Sequence, residues 1–265
     1  MKIAVAQSRP TIDIENNRQE ITHLAEQAAA DGARLIVFPE EAMLLAGEFT
    51  EPMAAIVERE WLPFETFITD LARLLDLAIV IGGYEPSSSE RPHNTLLAID
   101  NDGTIKSRYH KLHLYDAFTY KESDYVTPGG ELPPVVELAG VKVGLINCYE
   151  VRFPEQARYL IDQGAEILTV SAAWVAGARK EDHWTTLVRA RAIENTAWVI
   201  AAGTVSDDCV GLSMIVDPMG VERANLGEQP GVAVVDVTPE RTEQVRAILP
   251  SLKNRRLALT YAVKE

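Results

Sequence analysis

Apolar and polar positions along the chain alternate between two rhythms. Residues 2–7 form a short apolar run. Residues 14–30 then place Ile21, Leu24, Ala25 and Ala28 on one face of a helical period, stopped at Gly32. Residues 35–38 read as a second strand and 77–82 as a third. Between them, 61–75 read as a helix with Phe64, Phe67, Ile68, Leu71 and Leu75 inward. Segments 95–100 and 104–109 flank Asn101-Asp102-Gly103, a hairpin signal. The second half repeats the style, with strands expected at 135–138, 141–146, 167–171, 198–202, 212–216 and 232–237. Helices are expected at 154–163 and 183–195, and Gly140 and Pro218-Met219-Gly220 supply turns.

Many strands and few helices, most strands buried on both sides, predict two sheets face to face with helices outside. The pattern alone leaves an ordinary three-layer α/β fold open. No linker, low-complexity stretch or composition shift interrupts the 265 residues, so one domain over 1–265 is expected. The segment 246–265 is a tail expected to pack at an oligomer interface, its stretch 248–259 being too apolar for a disordered end.

The most informative segment is Val141-Lys-Val-Gly-Leu-Ile-Asn-Cys148-Tyr-Glu-Val-Arg-Phe-Pro-Glu155. An apolar strand stops at a cysteine, and a helix-like stretch follows through Pro154 to Gly164. A cysteine at such a turn lies near the backbone N–H groups that open the helix, a setting that lowers a thiol's pKa and offers donors to an oxyanion. A lone buried cysteine is more often inert packing, and Cys148 by itself leaves both readings open. Two further strands end on chemistry. Ala33-Arg-Leu-Ile-Val-Phe-Pro-Glu40 stops at a carboxylate, and Ile105-Lys-Ser-Arg-Tyr-His-Lys111-Leu-His-Leu-Tyr115 runs into a lysine. Strand ends are where active sites of open α/β sheets gather.

These three segments together resemble the nitrilase, or carbon–nitrogen hydrolase, superfamily. The resemblance extends through Tyr120-Lys-Glu122-Ser-Asp-Tyr-Val-Thr-Pro-Gly129, through Asp182 to Asn195 and through Gly211 to Gly220, from Met1 to about Leu249. It implies a four-layer α-β-β-α sandwich, commonly paired into a dimer. It also implies a catalytic set of Glu40 as general base, Lys111 as oxyanion cation, Cys148 as nucleophile and Glu122 in support. Desolvation is expected to raise Glu40 towards neutrality, which suits base work. The backbone N–H of Tyr149 is the natural second oxyanion donor.

Within the superfamily, Cys148 to Glu155 and His183-Trp184 through Glu194 most resemble the omega-amidases and deaminated glutathione amidases. That branch implies an amidase acting on the ω-amide of a small 2-oxo acid. A nitrile or an N-carbamoyl amino acid would suit the same catalytic groups. A catalytically silent metabolite-binding scaffold would have no reason to keep all four residues. Glu150 departs from the branch, where Asp is commoner. Arg152 stands about one helical turn beyond the nucleophile, either at the pocket mouth or in an ion pair with Glu155 or Glu150. Trp174 follows a strand and either walls the pocket or packs in the core. Cys209, at the entry to a strand, reads as structural.

Charge narrows the remaining classes. Lys and Arg number 25 against 39 Asp and Glu, a net charge of −14, which disfavours nucleic acid and anionic membranes as partners. No apolar run approaches the roughly 18–20 residues of a membrane span. The five histidines, at 23, 93, 110, 113 and 183, have no zinc-ligand spacing, and no glycine-rich phosphate loop occurs. No metal or cofactor is expected. Two cysteines make no disulfide framework, and a chain whose first residues already read as a strand suggests the cytoplasm.

Overall fold

In the computed structural model, which describes every residue except Glu48, Thr119 and Glu265, two sheets run back to back. In the first, β1 (Lys2–Gln7), β2 (Leu35–Val37) and β3 (Ala78–Glu85) are parallel neighbours joined by α1 (Ile14–Ala30) and α2 (Met53–Leu75). β4 (His93–Ile99) and β5 (Ile105–His110) continue beyond β3 as antiparallel strands. In the second, β9 (Val141–Asn147), β10 (Ile167–Ala172) and β11 (Trp198–Gly203) are the parallel core, joined by α3 (Pro154–Asp162) and α4 (Lys180–Asn195). β8 (Val135–Leu138) flanks β9, and β12 (Met214–Val216) and β13 (Glu222–Asn225) flank β11. The chain then returns to the first sheet, where β14 (Gly231–Asp236) pairs with β1, and ends its regular structure in α5 (Pro239–Ile248).

The two-residue period of a strand explains the layers. Ile3, Val5, Leu35 and Val37 point between the sheets, against Val143, Leu145, Ile200 and Ile215 of the second. Their alternates Ala4, Ala6 and Ile36 point outward, under Ile21, Leu24, Phe64 and Ile68 of α1 and α2. On the far side, Ile146, Leu168 and Val170 lie under Leu160, Trp184 and Val188 of α3 and α4. Each Val, Leu, Ile or Phe among them contributes roughly 1.5–3 kcal/mol by leaving water. The four-layer α-β-β-α sandwich expected from the sequence is therefore the observed fold.

Local differences have local causes. α2 starts at Met53 rather than at the expected 61, and carries Pro63 inside it. The segment after Cys148 is one 3-10 turn, Cys148–Arg152, and Pro154 then starts α3 as a separate helix. The small hairpin of β6 (Asp116–Ala117) and β7 (Tyr120–Lys121) was not expected, nor were β13 and α5. β13 is polar, and α5 buries only Val245, so neither carries a hydrophobic rhythm. Beyond Leu249 the tail is irregular. It is anchored by Arg255 on Asp162 at 2.9 Å and by the Tyr261 ring 5.1 Å from that of Tyr159.

Candidate active site

Topology brings the three strand ends together. β5 is antiparallel to β4, which is antiparallel to β3, so β5 runs in the same direction as β2. Glu40 and Lys111 thus leave one edge of the first sheet. β9 and β10 are parallel, so Cys148 and Ala173 leave one edge of the second. The edges meet where the backbone N–H of Ala173 donates to Glu40 Oε2 at 2.8 Å. Gly82 makes room for this, because a Cβ there would lie 1.9 Å from the Glu40 carbonyl oxygen.

Lys111 is the hub. Its Nζ donates to Glu40 Oε1 at 2.7 Å and to Glu122 Oε2 at 2.9 Å and Oε1 at 3.1 Å, and all three side chains are buried. Burial opposes the ammonium, but Glu122 and Glu40 hold its pKa well above the ordinary value. Asn94 donates to Glu40 at 2.7 Å and to Glu122 at 3.0 Å, and accepts from Asn147 at 2.9 Å. That chain of amides ties the carboxylates of one sheet to the residue before the nucleophile on the other. Sequence reasoning missed both asparagines. The signal was the polar start of β4, ahead of its apolar run, and the polar last residue of β9.

Cys148 adopts φ 49, the left-handed region that a non-glycine residue occupies only when its surroundings impose it. Glu150 supplies that constraint. Its buried carboxylate accepts from Asn147 N at 2.9 Å, Tyr109 Oη at 2.6 Å, Leu112 N at 2.9 Å and Gln156 Nε2 at 2.8 Å. The longer acidic side chain thereby clamps the nucleophile turn to the residue after Lys111.

Two electrostatic expectations are corrected. Burial, and then the charge of Glu40, push the Cys148 thiol well above its ordinary 9.0, so the turn does not hold a thiolate at rest. Burial alone would raise Glu40, but the Lys111 ammonium, the Cys148 thiol and the Ala173 N–H hold it below its ordinary 4.5. The sequence shows that Glu40 is buried but not that a cation lies against it. The resting pair is therefore a thiol beside a carboxylate, an acid and a base set for transfer when the sulfur attacks.

These groups floor a pocket of about 270 Å³, with Tyr84, Tyr115, Tyr120 and Cys209 in its walls. Cys209 thus faces the pocket as well as joining the loop to Val175 through a β-bridge. Tyr149, Arg152 and Trp174 do not line it. The Tyr149 ring packs edge-on against Tyr115 and Phe153. Trp174 is buried against Trp184, its indole N–H donating to Lys180 O at 2.8 Å. Arg152 forms neither expected ion pair, since Glu150 is committed elsewhere; its guanidinium lies 4.7 Å from the Trp174 ring centroid.

Glu41, next to Glu40 in the chain, also lines the pocket. It accepts from Tyr84 Oη at 2.7 Å and has no cation beside it among the described residues, so burial and the charge of Glu40 push it up to about 8. In the unfolded chain it ionises near its ordinary 4.5, while the fold keeps it protonated. Stability therefore falls as pH rises from 4.5 to about 8 and levels off above. Glu41→Gln, which keeps an acceptor for Tyr84, should flatten that slope and gain most over the parent at high pH. Urea midpoints at about pH 5 and about pH 8 check this, and an unchanged slope would exclude Glu41 as its source.

The Carbon-nitrogen hydrolase family model matches residues 2–247. A deaminated glutathione amidase of Escherichia coli O157:H7 is 42% identical over 261 residues, covering 97% of this chain and 98% of the relative. The Caenorhabditis elegans NitFhit structure superposes with a TM-score of 0.90 at 29% identity; 96% of this chain is covered, and it spans 65% of that longer protein. A Glu-to-Gln variant of the amidase from Nesterenkonia sp. AN1 superposes at 0.82 and 26% identity, covering 97% of this chain and 94% of that one. It carries the acetamide moiety of fluoroacetamide covalently added at its active-site cysteine. This chain belongs to the carbon–nitrogen hydrolase family, and its chemistry is the hydrolysis of carbon–nitrogen bonds other than peptide bonds, of the amidase kind that proceeds through a cysteine intermediate.

Proposed function

We propose that Cys148, Glu40, Lys111 and Glu122 carry out this hydrolysis on a small carboxamide, with an ω-amide of a 2-oxo acid such as deaminated glutathione as the natural substrate. The observation that carries the reading is the Lys111 ammonium between Glu40 and Glu122 on the floor of the pocket that Cys148 enters. Glu40 accepts the thiol proton as the sulfur bonds to the amide carbon. The charge that develops on the amide oxygen faces Lys111 and the Tyr149 N–H, which opens its turn and so has no carbonyl one turn before it. Glu40 then passes the proton to the leaving nitrogen, and the C–N bond breaks to a thioester. Water, deprotonated by Glu40, cleaves the thioester to the carboxylic acid and restores the thiol. Glu122 holds Lys111 and balances its charge.

The substrate assignment is supported by the likeness to deaminated glutathione amidases. A panel of deaminated glutathione, 2-oxoglutaramate, simple aliphatic amides, N-carbamoyl amino acids and nitriles tests it, with kcat/KM as readout. The 2-oxo acid amides should lead. A nitrile or carbamoyl compound favoured by about a hundredfold, or 2.7 kcal/mol in transition-state binding, would overturn the substrate class.

We also infer a cytoplasmic homodimer in which the single domain extends to the C-terminus and the tail from 246 onward packs at the interface. Ile248, Leu257 and Leu259 support this, since they are 75%, 80% and 51% exposed in the single chain. Light scattering should give twice the 29.2 kDa chain mass. A monomer at working concentration would sink the dimer.

A further inference from the structure

Lys180 opens α4 and is only 5% exposed. A cation in the first turn of a helix opposes the helix dipole, and a buried ammonium is costly unless a charge or hydrogen bonds compensate it. No carboxylate among the described residues forms an ion pair with it; its hydrogen-bond acceptor is Tyr115 Oη, at 3.0 Å. The rest of its surroundings is aromatic. Its Nζ lies 4.7 Å from the Tyr115 ring centroid, 4.8 Å from that of Trp174 and 5.1 Å from that of Phe118. Arg152 also lies over Trp174, with one terminal nitrogen buried and without a partner among the described residues.

Two cations without carboxylates, in a protein of net charge −14, therefore lie directly behind Tyr115 and Trp174. Tyr115 is a wall of the pocket that Cys148 enters. Because its oxygen accepts from Lys180, its own proton is left to donate to something else. The catalytic floor cannot attract an anion, since Glu40 and Glu122 outnumber Lys111 there. Any attraction for an anionic substrate must come from another wall.

We propose that the Tyr115 hydroxyl, held by Lys180, is the specificity-determining donor that reads a carboxylate at the far end of the substrate amide. Tyr115 makes the contact; Lys180 positions the hydroxyl and supplies the positive field, with Arg152 adding to it through Trp174. The substrate class is then an amide carrying a carboxylate several bonds from the scissile carbon. This rests on the amidase reading above and narrows it.

The test is equilibrium binding, which is independent of turnover. Glutaramate carries an amide and a carboxylate; pentanamide has the same chain length and no charge. Both are titrated calorimetrically into the full-length Cys148→Ala protein. Glutaramate should bind at least about tenfold tighter, a gap of about 1.4 kcal/mol. Adding Tyr115→Phe or Lys180→Met should bring the two ligands within about twofold of each other by weakening glutaramate more than pentanamide, and Lys180→Arg should keep part of the preference. Methionine retains the apolar stem of Lys180 among its aromatic neighbours. If Lys180→Met does not fold, Tyr115→Phe, which keeps the ring, decides alone. Absence of the preference in the parent, its survival in Tyr115→Phe or Lys180→Met, or equal losses for both ligands would overturn the proposal. An intact preference beside a failed substrate panel would instead count against the amidase substrate and leave the anion-reading wall standing.

Discussion

Cys148→Ala should abolish turnover, by about 10⁴-fold or more as for other enzymes stripped of their nucleophile, while the protein keeps its melting temperature. The fold should survive because alanine fits the φ 49 backbone no worse than cysteine, and because Glu150 rather than the thiol holds that turn. Cys209→Ala is the informative control. Both cysteines face one pocket, but Cys209 lies at its wall beside Val175, and its thiol is hydrogen-bonded with Ser206, whereas that of Cys148 is hydrogen-bonded with Glu40. It should retain kcat and change KM by a few-fold at most. The resting protonation state adds a second signature. With the proton on sulfur and Glu40 ionised, kcat/KM should decline on the acid side only as pH falls below 4.5, where Glu40 gains its proton. An acid limb near neutrality would mean that the carboxylate is not held low. Alkylation of Cys148 by iodoacetamide should slow in Glu40→Gln, because the proton acceptor is gone. Turnover by Cys148→Ala near the parent rate would remove Cys148 from the mechanism.

The strand ends were legible in the sequence because their cause is local. An apolar run that stops at Glu40 or Cys148, and a short mixed strand that stops at Lys111, announce both the strand and the residue at its end, and all three stand at one junction of the two sheets. Which of two adjacent glutamates meets the lysine was not local. Glu40 reaches a cation 71 positions away, while Glu41, one residue on, turns to the hydroxyl of Tyr84. Without Lys111, brought by β5 of the same sheet, and Cys148 and Ala173 of the other, desolvation is the only visible influence on Glu40, so the direction of its shift came out reversed. The same limit hid Asn94, whose partners Glu40 and Asn147 lie 54 and 53 positions away on different layers. Arg152 and Trp174 were chosen for their nearness in sequence to the nucleophile and to a strand end. The 3-10 turn and the packing of Trp174 on Trp184 place them behind the wall. The cation that stands behind Tyr115 is Lys180, which lies just upstream of the family-like stretch beginning at Asp182 and had no rhythm to mark it.

Lys111→Met should be the most damaging single change, and for two separable reasons. It removes the cation that faces the developing oxyanion, worth about 2.7–4 kcal/mol in the chemical step. It also leaves Glu40 and Glu122 buried against each other without the ammonium that stands 2.7 and 2.9 Å from them. Breaking a buried ion pair in this way costs about 3–5 kcal/mol of stability. A loss of activity in the single variant would therefore say little, because an unstable protein is also inactive. The double variant Lys111→Met with Glu122→Gln separates the two effects. It deletes one positive and one negative charge, and the glutamine can still accept from Tyr115 N, which donates to Glu122 at 2.6 Å. Much of the lost melting temperature should return, while kcat stays down by about a hundredfold or more. Recovery of kcat together with stability would make Lys111 a structural counter-ion only, and the oxyanion would then depend on the backbone donor at Tyr149. Stability restored without activity is the outcome expected if the ammonium serves the transition state as well as the fold.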